Sequence, residues 1–247
     1  MIYITGDCHG DYRRFNTTVF PEQKEMTKKD YVIVCGDFGF WDESREQRYW
    51  RKWLENKPFT TLWIDGNHEN YDLLSQQQVS QWHGGKVQKI SPSVIHLMRG
   101  QVYEIEGRKV FTFGGARSHD ISGGILEPDD PEYQARKKRL DRQRIDYRVN
   151  HLSWWAEEMP DEAEFEEGRR NLERNHWEVD YIITHCCASS TQALFSQGIF
   201  KPDSLTGYLE EIKNRCKFQK WFFGHYHDNR MIGSDEIMIY EQIIRIA

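Results

Sequence analysis

No stretch of this 247-residue sequence approaches the roughly 20 apolar residues that a bilayer crossing needs, so no membrane association is expected. A basic excess is missing too: 33 Lys and Arg stand against 39 Asp and Glu, for a formal net charge of -6. That balance argues against non-specific binding to nucleic acid, whose affinity rests on basic surface, while leaving a locally recognised anion open. The five cysteines (Cys8, Cys35, Cys186, Cys187, Cys216) are odd in number and lack the spacing of a disulfide framework or a zinc ribbon. They read as small buried thiols. The opening Met-Ile-Tyr-Ile-Thr-Gly-Asp has neither a basic n-region nor a long apolar h-region, so no signal peptide is expected and a reducing cytoplasm is the default compartment. Internal repeats and low-complexity tracts are also lacking. With 9 Trp, 12 Tyr and 13 Phe, however, the chain has far more aromatic surface than a disordered acidic chain carries.

What is plentiful is charge, and it is unevenly placed. Residues 129–178 hold 24 of the 72 charged side chains, 14 acidic and 10 basic, which is a third of the charge in a fifth of the chain. Their pattern reads as helices broken at Met159-Pro160. With no linker composition elsewhere, the expectation is a single domain over 1–247 with a charged helical insertion at about 129–178. Seven basic residues from Arg136 to Arg148 read as the solvated face of a helix in preference to a phosphate-binding patch. Trp154, Trp155 and Trp177 are expected to dock the insertion on the core.

Five short runs rich in β-branched and aromatic residues predict strands, each ending at Gly or at a polar group. Residues 2–5 precede Gly-Asp-Cys-His-Gly, 31–35 precede Gly-Asp-Phe-Gly, and 61–64 precede Asp-Gly-Asn-His-Glu. Residues 181–184 precede His185, and 221–223 precede Gly-His-Tyr-His. Asp7, Asp37 and Asn67 are each 30 residues apart, about one strand, crossover and return. Helical patterns are expected over 11–20 and 43–55, hairpins over 86–114, and short strands over 231–246. In sheets of this kind ligands gather beyond the carboxyl ends of the strands, where the polar clusters fall.

Strand side chains alternate, so donors at i and i+2 face one side. Asp7 and His9 have that spacing, as do His225 and His227, with Cys8 and Tyr226 expected to point away. The donor set Asp7, His9, Asp37, Asn67, His185, His225 and His227 offers carboxylate, amide and imidazole without sulfur, which suits manganese, iron, zinc or magnesium. Seven ligands are too many for one ion and about right for two.

These five ordered blocks resemble those of the calcineurin-like metallophosphoesterases, over positions 6 to 227. The resemblance implies an α/β (α+β) fold, a four-layer α-β-β-α sandwich of two mixed β-sheets flanked by helices. It implies two divalent metal ions, manganese foremost: Asp7, His9 and His227 on the first, Asn67, His185 and His225 on the second, Asp37 bridging. It further implies in-line attack by a metal-bridging hydroxide on a phosphorylated substrate, with Asp37, Asn67 and His68 catalytic. Asn67 and His68 would meet the substrate, and His68 would protonate the leaving group. Glu69 would be structural or support the site from behind.

After the second block the chain reads Phe38-Gly39-Phe40-Trp41-Asp42 where the serine/threonine protein phosphatase branch has Tyr-Val-Asp-Arg-Gly, so protein dephosphorylation is disfavoured. Asp42 or Asp65 is left as the partner of His68, and Phe38, Phe40 and Trp41 as either packing or substrate contacts. Gly114-Gly115-Ala116-Arg117-Ser118-His119-Asp120 and Trp154-Trp155-Ala156-Glu157-Glu158 resemble segments of bacterial-type members, and Arg117 is expected to grip a phosphate oxygen. The function expected is a phosphatase acting on a small or phosphorylated substrate. A phosphodiesterase or nuclease, and a catalytically inert protein-binding scaffold, are the alternatives.

Overall fold

A computed structural model describes residues 1–247. The chain opens with three strands, β1 (Ile2–Thr5), β2 (Tyr31–Val34) and β3 (Thr60–Trp63), every residue of them buried. They run parallel in chain order, with Ile2 beside Tyr31 and Tyr31 beside Thr60. Burial on both faces suits their β-branched, aromatic and aliphatic sequences, which carry no charge. Helix α1 (Arg45–Glu55) lies between β2 and β3, its first turn capped by the Ser44 hydroxyl, which accepts from the Gln47 amide. A short helix α2 (Tyr71–Ser75), capped by Asn70, leads to the hairpin strands β4 (Val79–Trp82), β5 (Gly85–Ser91) and β6 (Val94–Leu97).

The second half supplies β7 (Gln101–Ile105), β8 (Arg108–Phe113), the short β9 (Ile125–Leu126), α3 (Tyr133–Gln143), β10 (Arg148–Val149) and α4 (Glu162–Arg174). There follow β11 (Tyr181–Thr184), α5 (Ser189–Ser196), α6 (Ser204–Arg215), β12 (Lys220–Phe223), β13 (Arg230–Ile232), β14 (Glu236–Met238) and β15 (Ile244–Arg245). The seven-stranded sheet has the order β15-β1-β2-β3-β6-β5-β4, and the six-stranded sheet β13-β14-β12-β11-β8-β7. Both mix parallel and antiparallel pairs. No helix is long and apolar enough to cross a membrane.

Side-chain alternation makes the layers. Ile2, Ile4, Ile33 and Leu62 of the first sheet meet Tyr103, Val110, Ile183 and Phe222 of the second in one central core. Tyr3, Val32, Val34 and Trp63 face outward onto Phe15, Leu54 and Phe59. Phe111, Phe113, Ile182 and Trp221 face the other way, onto Phe165 and Leu172 of α4 and Leu205, Leu209 and Ile212 of α6. The result is the α/β architecture of two mixed sheets between helical layers that the sequence led us to expect.

Two local readings need correction or refinement. Residues 11–20 form no α-helix, only a single 3-10 turn at Arg13–Phe15. The Asn16 side chain accepts from the Thr18 and Val19 amides and donates to the Arg13 carbonyl, offering the backbone a turn in place of a helix. The charge-rich segment holds α3 and α4 with a 3-10 turn, Ala156–Glu158, before Pro160. Within it Trp155 is buried in the first sheet's outer core and gives its indole proton to Asp72 at 2.7 Å, while Trp177 packs against the second outer core.

The segment is also joined to the sheets through a buried charge. Arg99, just after β6, donates to Asp65 (2.8 Å), Tyr71 (2.9 Å), Glu164 of α4 (2.8 Å) and the Glu157 carbonyl (2.8 Å). Burial works to raise the Asp65 carboxyl, but Arg99 and His96 outweigh it and hold it well below the usual carboxylate range. Arg99→Met strands that carboxylate and is expected to cost about 3–5 kcal/mol at pH 7, measured by urea unfolding. Because the folded pKa is depressed, the contribution is complete above the unfolded value of about 3.9 and is lost as pH falls below it. The gap between native and variant proteins should therefore narrow toward pH 2.

Candidate metal centre

The carboxyl ends of β1, β2, β3, β11 and β12 converge where the two sheets meet, and each donates one loop. The loops are fastened backbone to backbone: the Asp37 carbonyl accepts from the Cys8 amide (2.9 Å) and the His9 amide (2.8 Å). Arg14 reaches under the first loop to the carbonyls of Gly6 (3.2 Å), Asp7 (2.6 Å) and Tyr240 (2.6 Å). The fully buried Glu69 collects the amides of Phe38 (2.6 Å), Gly39 (3.2 Å) and Phe40 (2.7 Å), so its role is to hold the second loop. Trp41 gives its indole proton to the His68 carbonyl at 2.8 Å.

Strand alternation is not what aims the donors. β1 ends at Thr5 and β12 at Phe223, and the donor residues lie beyond, four of the seven donors in left-handed backbone: φ is 47° at His9, 44° at Asp37, 68° at His225 and 50° at His227. Four of the chain's eleven non-glycine residues with positive φ are thus gathered here, the distribution expected when surrounding structure enforces strain at a site. Cys8 does turn into the core. His225 and His227 fall in different groups, as the two-ion assignment implied: His227 lies with Asp7, His9 and Asp37, and His225 beside His185.

His227 joins Asp7, His9 and Asp37, whose donor atoms all lie within 4.8 Å of one another. Its Nε2 is 3.2 Å from Asp7 Oδ2 and 2.9 Å from His9 Nε2. On the other side of Asp37, His185 gives its Nδ1 proton to the Cys35 carbonyl (2.8 Å) and brings Nε2 to 3.3 Å from Asp37 Oδ1 and 3.2 Å from Asn67 Oδ1. The His225 ring centroid is 5.0 Å from that of His185, and its Nε2 is 2.7 Å from His119 Nε2. Asp37 is where the two groups touch.

The electrostatics suit cations. Asp7 and Asp37 are buried carboxylates, and Arg14 spends its guanidinium on carbonyls and the Thr5 hydroxyl, reaching neither carboxylate. Burial lowers His185, yet Asp37 and then Asp7 outweigh it and push the imidazole up to about 10, so the pocket stabilises positive charge at the place where an ion would sit. Burial keeps His9 and His225 below the ordinary histidine value, favouring the neutral form that ligation needs. Oxygen and imidazole donors without sulfur, two of them paired nitrogen to nitrogen, fit divalent ions of the manganese, iron, zinc or magnesium kind.

His68 donates its amide proton to Asp37 Oδ1 at 2.8 Å, and its ring is 5.3 Å from that of His9. Neither acidic partner suggested by the sequence serves it: Asp42 caps Ser44, and Asp65 belongs to Arg99 and His96. Burial lowers the His68 pKa, and the carboxylates that oppose this are Asp37 and Asp120, the latter ion-paired with Arg148. Arg148 therefore departs from the solvated face to which the basic run was assigned. Phe38 and Phe40 are buried, Phe38 stacked on Trp63 at 4.6 Å, so their rings serve packing. Arg117 is exposed and makes no hydrogen bond or ion pair. His119, Ser118, Asp120 and Glu158 lie in segments that the sequence marks, but nothing in residue type or spacing distinguishes them, because their contacts join segments remote in sequence.

The family model described as calcineurin-like phosphoesterase matches residues 1–229. Lariat debranching enzyme A of Xenopus laevis is 26% identical over 143 residues, 51% of this chain and 26% of its own length. The lariat debranching enzyme of Drosophila pseudoobscura pseudoobscura is 24% identical over 249 aligned residues, 92% of this chain and 42% of its own. That of Homo sapiens is 24% identical over 143 residues, covering 51% and 25% respectively. The chain thus spans between a quarter and about two fifths of the length of these relatives.

Two glycines let the donors approach. A Cβ on Gly66 would overlap Asp37 Oδ1, and one on Gly224 would overlap Asp7 Oδ1. Gly66→Ala or Gly224→Ala is expected to weaken manganese binding about 10- to 100-fold in equilibrium dialysis, the scale of losing an orienting contact at a metal ligand.

Proposed function

The chain belongs to the calcineurin-like phosphoesterase family, and on that footing we propose that it hydrolyses phosphate esters using two divalent ions, manganese foremost. Asp7, His9 and His227 would hold one ion, Asn67, His185 and His225 the other, and Asp37 both. The observation that carries this reading is the convergence of Asp7, His9, Asp37 and His227, with His185 and Asn67 against the far side of the same Asp37. Ions bound there would acidify water and neutralise charge on the phosphoryl oxygens.

The chain's own groups do the rest. His68, fixed at its amide by Asp37 and at its carbonyl by Trp41, presents its ring beside His9 and hands a proton to the departing oxygen. Asn67 would also meet the substrate, and the exposed Arg117 stands on the loop after β8 as a candidate phosphate contact.

A phosphatase acting on a small or phosphorylated substrate is our first reading. It is supported by the cleft of about 440 Å³ beside His9, where Asp11, Asp42 and Glu46 outnumber Arg13 and would repel a polyanion. Phosphodiester cleavage is the second reading, supported by relatives whose names denote debranching of lariats. An inert scaffold is disfavoured by the full set of donors around His68. Five free cysteines support a reducing compartment such as the cytoplasm.

The comparison that decides is hydrolysis of p-nitrophenyl phosphate against bis(p-nitrophenyl) phosphate with manganese, each repeated with chelator. Faster turnover of the monoester supports the first reading, faster turnover of the diester the second, and no metal-dependent turnover of either sinks both. His68→Ala should keep its metal and lose about 10²- to 10⁴-fold in turnover; unchanged turnover removes the assigned role.

A further inference from the structure

The charge-rich segment and the loop after β8 meet behind the metal centre through one chain of hydrogen bonds. Glu158, buried in the 3-10 turn that follows Trp155, accepts the Ser118 amide on Oε1 (2.9 Å) and the Ser118 hydroxyl on Oε2 (2.6 Å). Ser118 Oγ in turn accepts from Asn67 Nδ2 at 3.3 Å, leaving Asn67 Oδ1 toward His185 Nε2 at 3.2 Å. All three side chains are buried.

An asparagine amide presents an acceptor and a donor of nearly the same shape, and only the oxygen can ligate a cation. Which end faces the ion is set by what the other end meets. A carboxylate only accepts, so with Glu158 on its far side the Ser118 hydroxyl must give its proton to Glu158. The oxygen is left able only to accept from Asn67, and that selects the amide orientation with Nδ2 on Ser118 and Oδ1 on the metal side. We infer that Glu158 is a positioning residue that fixes the ligating orientation of Asn67 through the Ser118 hydroxyl, which ties the charge-rich segment to one of the two ions.

This inference rests on the two-ion reading above, and its test is metal binding by calorimetry, independent of ester hydrolysis. Glu158→Gln keeps the shape but gives Ser118 a donor, freeing its hydroxyl proton to turn toward Asn67 and permitting the amide to flip. Manganese titration of the variant should show one ion bound about 10- to 100-fold more weakly and the other unchanged, with the native unfolding temperature. Ser118→Ala should do the same, and the double variant Ser118→Ala/Glu158→Gln should be no worse than either single one. Should Glu158→Gln fail to fold, Ser118→Ala alone decides. Native binding of both ions in the folded variants, equal weakening of both ions, or multiplied losses in the double variant would overturn the relay while leaving the two-ion reading intact. Fewer than two ions on the native protein would overturn the two-ion reading and the relay with it.

Discussion

Everything at the carboxyl end of the sheets depends on how Asp37 is held. Its carbonyl fixes the first loop, its Oδ1 accepts the His68 amide, and its carboxylate lies between His9 and His185. A buried carboxylate in left-handed backbone is expensive twice over, in desolvation and in conformation. The surroundings offset both: His185, His68 and His9 outweigh burial and hold the carboxyl well below its usual range, while Glu69 gathers the three amides that follow. Asp37 sits at the end of β2, and β2 lies between β1 and β3. Two neighbours in sequence order therefore bring Asp7 and Asn67 to it without any long connection.

That local economy explains what the sequence revealed. A strand buried on both faces has to be largely apolar, so β1, β2, β3, β11 and β12 stand out as short runs of β-branched, aliphatic and aromatic residues, and the donors follow because each run stops at its loop. The two-sheet architecture came through the resemblance, since apolar runs alone do not say which strands share a sheet. The 30-residue spacing located strands correctly but not what joins them: between β1 and β2 the Asn16 side chain takes over hydrogen bonds that a helix would have needed. Alternation placed Asp7 with His9 and turned Cys8 and Tyr226 away, but the loops past the strand ends achieve this with positive φ at His9, His225 and His227, which residue identity does not reveal when the residue is not glycine.

The supporting groups were hidden for a different reason. Glu158 and Ser118 are 40 residues apart, Arg148 and Asp120 are 28 apart, and Asp65 and Arg99 are 34 apart. Each is an ordinary polar residue with no period or spacing to mark it, and only a tertiary contact makes it a partner. Phe38 and Phe40 were open to two readings because they stand beside a ligand block, and the outer core against β2 and β3 decides for packing.

The charge-rich segment joins these threads. Most of its charge is solvated, and surface pairs such as Lys137 with Asp141 contribute little. Its inner side packs Phe165 and Leu172 into the second outer core and makes polar contacts that lead inward: Trp155 to Asp72, Arg99 to the Glu157 carbonyl, Glu158 to Ser118, and Arg148 to Asp120. A charged outer surface carried on a packed inner side can vary while the inner side keeps its geometry. Change in the outer charges would then leave the metal centre alone, whereas any shift of the Ala156–Glu158 turn would reach Ser118 directly. The same segment that gives the chain its unusual polarity is thus, on its inner side, part of the frame around Asp37.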